Sequence, residues 1–238
     1  MIWSTAMSDL KTGALHAMLT GIAKRYPGAA IASSMQMEDM ILTDVVARLK
    51  LPLAIFMLDT GRLHSETLAM VGLVKERYGI EVEVYQPQET KVKQYVQQHG
   101  LNAFYESVEL RKSCCGIRKV EPLARALRDR PAWITGQRRA QSATRTELKL
   151  EDFDPTHGLP KFNPLTEWTD AEVRAYISAF DVPVNALHAR GYRSIGCEPC
   201  TRAIKPGEDP RAGRWWWESS DSKECGLHVI PIKQESHA

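Results

Sequence analysis

Three short apolar runs in this chain each stop at a polar turn: "GAAIASS" (28–34), "LPLAIFMLDTG" (51–61) and "AWITG" (132–136). Runs of this length bounded by Gly, Asp or Ser read as buried strands. Helical apolar spacing fills the gaps, over 8–26, 38–50, 64–79, 91–100 and 118–129. Pro27 and Gly28 stop the first of these helices. "EVEVYQ" (81–86) alternates as a strand, and Thr169 caps a last helix over 169–181. Strand and helix in alternation predict an α/β fold, a mostly parallel twisted sheet with helices on both faces. In such sheets ligands bind beyond the carboxyl ends of the strands. The turns "SSMQ", "DTGR" and "TGQRR" follow strands directly, so all three are expected on that one edge.

The 238 residues suffice for one large α/β domain. Residues 1–204 read as its body and 205–238 as a mobile C-terminal segment, within one structural domain. A net charge of +2 gives no global pull toward nucleic acid or membrane. No apolar run reaches the roughly 18–20 residues that span a bilayer. The opening "MIWSTAMSDLKTG" lacks the basic and apolar regions of a secretory signal, which points to the cytoplasm. Five cysteines in that compartment do not suggest a disulfide framework.

Cys114 and Cys115 are adjacent in "KSCCGIRK", and Cys197 and Cys200 form a Cys-x-x-Cys in "GCEPC". Two distant pairs can meet at one metal centre. Structural zinc prefers pairs spaced by two to four residues, so adjacent ligands fit it awkwardly. A [4Fe–4S] cluster takes four thiolates on four separate irons, which suits neighbours better. Zinc and plain redox or structural thiols stay open as the other readings. The fifth cysteine, Cys225 in "KECGLH", is either an incidental thiol or a nucleophile activated by nearby cations.

Basic residues crowd these motifs: Arg111, Lys112, Arg118 and Lys119; Arg138, Arg139 and Arg145; Arg202, Arg211 and Arg214. In a chain so nearly neutral, the clusters suggest a polyanionic ligand, since guanidinium forks match phosphate and sulfate oxygens. "SSMQMED" (33–39) stands where a phosphate loop would, at a helix N-terminus, without the glycines and lysine of a Walker loop. Asp59 reads as a turn former or a ligand. The run "RWWWE" (214–218) reads as packing.

As a set, "LDTGRLHSET", "CCGIRKVEPL", "ITGQRRAQSATR", "FNPL", "GYRSIGCEPCTRAI", "GEDPRAGRWWWE" and "ECGLH" resemble the assimilatory sulfonucleotide reductases, in particular the bacterial adenosine 5′-phosphosulfate (APS) reductases. The resemblance runs from about Ala32 to His228. It implies the adenine nucleotide α-hydrolase-like fold and reduction of APS to sulfite and AMP. Family members with both cysteine pairs generally carry [4Fe–4S] and use APS; those with only the terminal cysteine generally use the 3′-phosphorylated form, PAPS. By resemblance, Cys114, Cys115, Cys197 and Cys200 hold the cluster and Cys225 is the nucleophile. Lys119, Arg211, Arg214 and His228 face the phosphosulfate. Ser33, Ser34, Leu58 and Gly136 line the adenosine pocket, with Arg138 or Arg139, and Arg145, as further contacts, which of them points inward being left open. Thioredoxin as reductant and a homo-oligomer are implied in the same way. Met35-Gln36-Met37 depart both from the glycines of the ATP-pyrophosphatase loop and from the Phe-Gly-Ala common in the reductases. A PAPS reductase, an ATP-dependent sulfurtransferase and a zinc-stapled nucleic-acid-binding domain are the competing readings.

Overall fold

The computed structural model describes the backbone of residues 2–142, 145 and 147–218, and side chains from residue 10 onward. The elements run α1 (Ile2–Arg25), β1 (Ala30–Ser33), α2 (Met37–Leu49), β2 (Ala54–Leu58), α3 (Ser65–Tyr78), β3 (Glu83–Tyr85) and α4 (Glu89–His99). They continue with α5 (Val108–Cys115), α6 (Glu121–Leu127), β4 (Trp133–Thr135), β5 (Glu151–Asp154), β6 (Leu159–Phe162) and α7 (Asp170–Phe180).

The six strands form one sheet in the order β3-β2-β1-β4-β6-β5. All neighbouring pairs are parallel except β5 with β6. Strand side chains alternate between two faces, and the core divides accordingly. Ile31, Ile55, Met57 and Ile134 pack with side chains of α1, α2, α3 and α7. Ala30, Phe56 and Trp133 face the other way, onto Leu123, Ala126 and Leu127 of α6. Helices therefore cover both faces, as the alternation predicts.

The chain leaves β1 toward β2 on one side, and β4 lies on the other. That makes the β1–β4 boundary the topological switch point, where open α/β sheets leave a crevice. Thr169 caps α7 in a reciprocal box: its hydroxyl accepts from the Glu172 amide at 3.2 Å, and its own amide donates to the Glu172 carboxylate at 2.7 Å. Among the described residues no helix is long and apolar enough to cross a membrane.

Two features differ from the sequence expectation. The helix expected over 118–129 starts earlier and is irregular: helical backbone runs unbroken from α5 through a π-turn over Gly116–Val120 into α6. The wider winding inserts a residue into the helical ladder, and it carries Arg118 and Lys119 into the interior. The β5–β6 hairpin also gave no sequence signal. Its strands are four residues each, and β5 is an exposed, acidic edge strand.

Candidate active site

The polar turns after β1, β2 and β4 do converge. They line one cavity of about 250 Å³ at the carboxyl edge of the sheet. Ser33, Ser34, Leu58 and Gly136 line it, as do Lys119, Arg138, Arg145, Arg211 and Arg214. Arg139 is the exception and a correction. It lies outside the cavity, donating to the Leu148 carbonyl at 2.9 Å and pairing with Glu167 at the surface. After a strand, successive side chains diverge, so of two adjacent arginines one turned inward. Cys225 and His228 lie outside the described residues.

The loop after β1 bears on the departure at Met35. Met35 has φ +58° and is fully buried. The left-handed conformation costs an L-residue roughly 1–2 kcal/mol, which is why such loops favour glycine. Here the Met35 amide donates to the Ser33 hydroxyl at 3.1 Å and its side chain joins the main core. Packing offsets the strain. The left-handed turn forms with a bulky residue in it.

Asp39, in the first turn of α2, ties this loop together. Its carboxylate accepts from the Ser34 amide at 2.7 Å and the Ser34 hydroxyl at 2.6 Å. Burial pushes the Asp39 carboxyl up to about 6, with Ser34 and the Gly136 amide opposing as donors. Gly136 approaches so closely that a Cβ there would lie 2.4 Å from Asp39 Oδ1. Gln36 reaches across the crevice and accepts from the Ile195 amide at 2.7 Å. Asp39, Gln36 and Arg193–Ser194–Ile195 were not read from the sequence as site residues. An acid in the first turn of a helix is what the helix dipole favours anywhere, so Asp39 carries no distinct signal in the sequence.

The four paired cysteines meet at the floor of the site. Cys114, Cys115, Cys197 and Cys200 line one small pocket with Arg111, Arg118 and Lys119. Phe104 and Trp215 complete a buried cluster with Cys115, Cys197 and Cys200. Two bridges hold the Cys-x-x-Cys in place, Leu63 with Cys197 and Thr201 with Arg214. Among the described residues, no three His, Cys, Asp or Glu side chains are arranged to hold a metal ion.

The thiols are electrostatically unequal. Burial opposes ionisation of Cys197, yet Lys119, the Thr60 hydroxyl at 3.2 Å, Arg214 and Arg118 outweigh it and pull the thiol below its ordinary value. Burial pushes Cys200 up to about 12, with Cys197 adding to the rise. Burial also raises Cys114 despite Arg118. Of these three thiols Cys197 ionises most readily, and burial disfavours the thiolates of Cys114 and Cys200.

Lys119 lines both the cavity and the thiol pocket. Arg214 lines the cavity too, its guanidinium over Trp215 and donating to the Ile195 carbonyl at 3.2 Å. Arg118 instead donates to the Thr60 carbonyl at 2.7 Å, and Arg111 pairs with Glu218. These two are held by the protein itself, whereas Lys119, Arg138, Arg145, Arg211 and Arg214 of the basic set line the cavity. Asp59 closes its own turn, accepting from the Gly61 amide at 2.9 Å. Trp215 is buried and packs, as expected of the tryptophan run.

Sheet order, switch-point crevice and cationic floor define an α/β nucleotide-binding protein of the adenine nucleotide α-hydrolase-like type. A family model, the phosphoadenosine phosphosulfate reductase domain, matches residues 28–203, and the chain belongs to that family. An adenosine 5′-phosphosulfate reductase of Burkholderia cepacia is 62% identical over 222 residues, covering 93% of this chain and 89% of that one. The enzyme of the same name from Allochromatium vinosum is 48% identical over 225 residues, covering 94% and 88%. Among solved structures, the phosphoadenylyl-sulfate (PAPS) reductase of Candida auris in its phosphate complex aligns with a TM-score of 0.68 at 25% identity, over 80% of this chain and 90% of that one. Yeast FAD synthetase, at 14% identity and a TM-score of 0.55, shares the fold.

Proposed function

We propose that this chain reduces adenosine 5′-phosphosulfate to sulfite and AMP, as a cytoplasmic thiol-dependent oxidoreductase of sulfate assimilation. The observation that supports this most is the position of Lys119, shared between a nucleotide-sized crevice and a four-thiol pocket. The kinship with named APS reductases supports the substrate.

In the proposed reaction the Cys225 thiolate attacks the sulfur of APS. An S–S bond forms, the S–O bond to the phosphate breaks, and AMP leaves with the electron pair. A thiolate of thioredoxin then attacks Cys225 Sγ, and sulfite departs with the pair of the S–S bond. The second thiol of thioredoxin resolves the mixed disulfide, so the two electrons come from the dithiol. An anion attacks an anion, so cations must offset the repulsion and stabilise charge on the leaving phosphate. Lys119, Arg211 and Arg214 line the cavity for that task, and His228 is assigned to it by family resemblance. Ser33, Ser34, Leu58 and Gly136 would hold the adenosine, and Arg145 would contact the anion.

Glu218 is anchored beside the thiol pocket by Arg111. The chain from Glu218 to Cys225 can span no more than about 25 Å, which sets the reach of the nucleophile.

The donor set at the floor suits a [4Fe–4S] cluster better than a single ion: four thiols line one pocket, two of them adjacent, beside cations that favour thiolate. Cys114, Cys115, Cys197 and Cys200 would hold it, and its charge would add to the field at Lys119.

The test is a mass spectrum of anaerobic, reduced protein mixed with APS or PAPS without added thiol. One SO3 adduct on the Cys225 peptide, formed with APS and much less with PAPS, is expected. An adduct favouring PAPS would overturn the substrate, and no adduct from either would overturn the mechanism.

A further inference from the structure

The thiol pocket has an outer face that the proposed chemistry has not used. A single 3-10 turn, Ala103–Tyr105, lies between α4 and α5. It buries Phe104 with Cys115, Cys197, Cys200 and Trp215, and it leaves Tyr105 41% exposed. The tryptophan run behaves alike. Trp215 has φ +40°, a left-handed conformation, and is fully buried, while Trp216 beside it is 39% exposed. The Tyr105 ring lies 6.3 Å from that of Trp216 and 4.4 Å from that of Trp217. Leu101, 54% exposed, stands just before the turn. Two segments distant in sequence thus build one exposed aromatic patch.

The patch is held rigidly. The Tyr105 hydroxyl donates to the Pro199 carbonyl, inside the Cys-x-x-Cys, at 2.6 Å. Trp216 stands edge-on to Trp217, with ring centroids 4.8 Å apart. Arg62 fixes the loop before the turn, donating to the Leu101 carbonyl at 3.2 Å and to Asn102 Oδ1 at 3.1 Å. Exposed Tyr and Trp side chains that are already ordered lose little freedom on association, and such residues carry most of the energy of protein interfaces.

Position selects the partner. In the proposed reaction a second protein must bring a thiolate onto Cys225 Sγ. Cys225 follows Glu218 by seven residues, so that meeting falls within about 25 Å of Glu218. Arg111 fixes Glu218, and Trp216 precedes it by two residues. A protein seated on the patch is therefore within reach of the nucleophile. A second copy of the chain seated there would stand over the exit of the tail. We infer that the Tyr105–Trp216 face docks the dithiol protein that releases sulfite, a partner whose reactive thiol is set in an apolar surface. This rests on the thiol-dependent reading above.

The experiment loads the protein with SO3 from APS, removes the nucleotide, and follows sulfite release by reduced thioredoxin or by dithiothreitol. Trp216→Gln and Tyr105→Gln should each lower the second-order rate constant with thioredoxin at least tenfold. The rate with dithiothreitol and the rate of adduct formation should stay within twofold of wild type. Tyr105→Phe, which keeps the ring, should keep the thioredoxin rate. The two residues lie on separate segments, so either variant decides the question if melting shows that the other fails to fold. An unchanged thioredoxin rate in the folded variants would overturn the inference. Equal losses with both reductants would also overturn it and make the patch a support for the tail. A wild-type dimer that Trp216→Gln dissociates would give the face to a second copy instead. A wild type that forms no adduct would overturn the underlying reading, not the docking face.

Discussion

Arg111 and Glu218 form a two-pronged ion pair, Nε to Oε1 at 2.9 Å and Nη2 to Oε2 at 2.7 Å, with both side chains out of solvent. Arg111 also stacks on Trp215, its guanidinium 4.6 Å from the ring centroid, while Arg214 lies 4.7 Å away from that ring. The pair joins α5, which carries Cys114 and Cys115, to the end of the described chain. Taking away one member of a buried pair strands the other charge, at roughly 3–5 kcal/mol. Arg111→Met should therefore destabilise the protein by about that amount in urea unfolding. Adding Glu218→Gln should recover part of the loss. If the double variant is no better than the single, charge is not what the pair contributes.

Trp215 is fully buried against the cysteines. Trp215→Ala should cost about 3–5 kcal/mol through lost burial and an unfilled cavity. The loss should appear as a lower unfolding midpoint, together with faster reaction of the four cysteines with a thiol reagent. A variant with an unchanged midpoint would mean that the tryptophan run is not part of the core.

Asp39 should leave a signature in the pH dependence of stability. Its folded carboxyl sits near 6, against an ordinary 3.8. Between those values the folded state keeps a proton that the unfolded chain has lost. The contribution is complete below about pH 4 and is lost as pH rises through 6, up to about 3 kcal/mol at 1.36 kcal/mol per unit. Asp39→Asn removes this titration. Wild-type stability measured relative to the variant should fall from pH 4 to pH 7; a flat difference would show that Asp39 ionises normally.

Lys119 should matter to the reaction more than to the fold. Replacing it with Gln removes a cation from both the cavity and the thiol pocket. By the usual weight of one preorganised charge-stabilising donor, kcat/KM for APS should drop on the order of 10²–10³-fold. Steady-state sulfite release checks this. A drop below tenfold would relieve Lys119 of its assigned role.

The sheet and the crevice were legible because each strand's apolar run ends abruptly in polar turn residues, a local signal. The thiol pocket was legible because cysteine is rare and its pairing conspicuous. What stayed hidden depended on orientation or distance. Arg138 and Arg139 are chemically alike, and only the acceptors that Glu38 and the Trp168 carbonyl offer to Arg138 select one. Helix α5 is short and polar, and its identity comes from burying Arg111 and Cys115. Gln36 finds Ile195 across 159 residues, a contact that no local pattern encodes.

Gly136 offers the sharpest steric test of the crevice. A Cβ at that position would sit 2.4 Å from Asp39 Oδ1, 2.8 Å from Glu38 Cβ and 3.1 Å from the Asp39 amide nitrogen. All three atoms belong to the first turn of α2 or to its tightly bonded carboxylate, so a simple rotamer change cannot clear the space. Gly136→Ala must push the β4 turn away from the β1 turn. Overpacking of this kind costs about 1–3 kcal/mol. Because the two turns form the crevice walls, nucleotide binding should suffer more than stability. AMP affinity by calorimetry should weaken at least tenfold, while the unfolding midpoint falls by only a few degrees. Unchanged AMP affinity in the folded variant would mean that the nucleotide does not lie between these two turns.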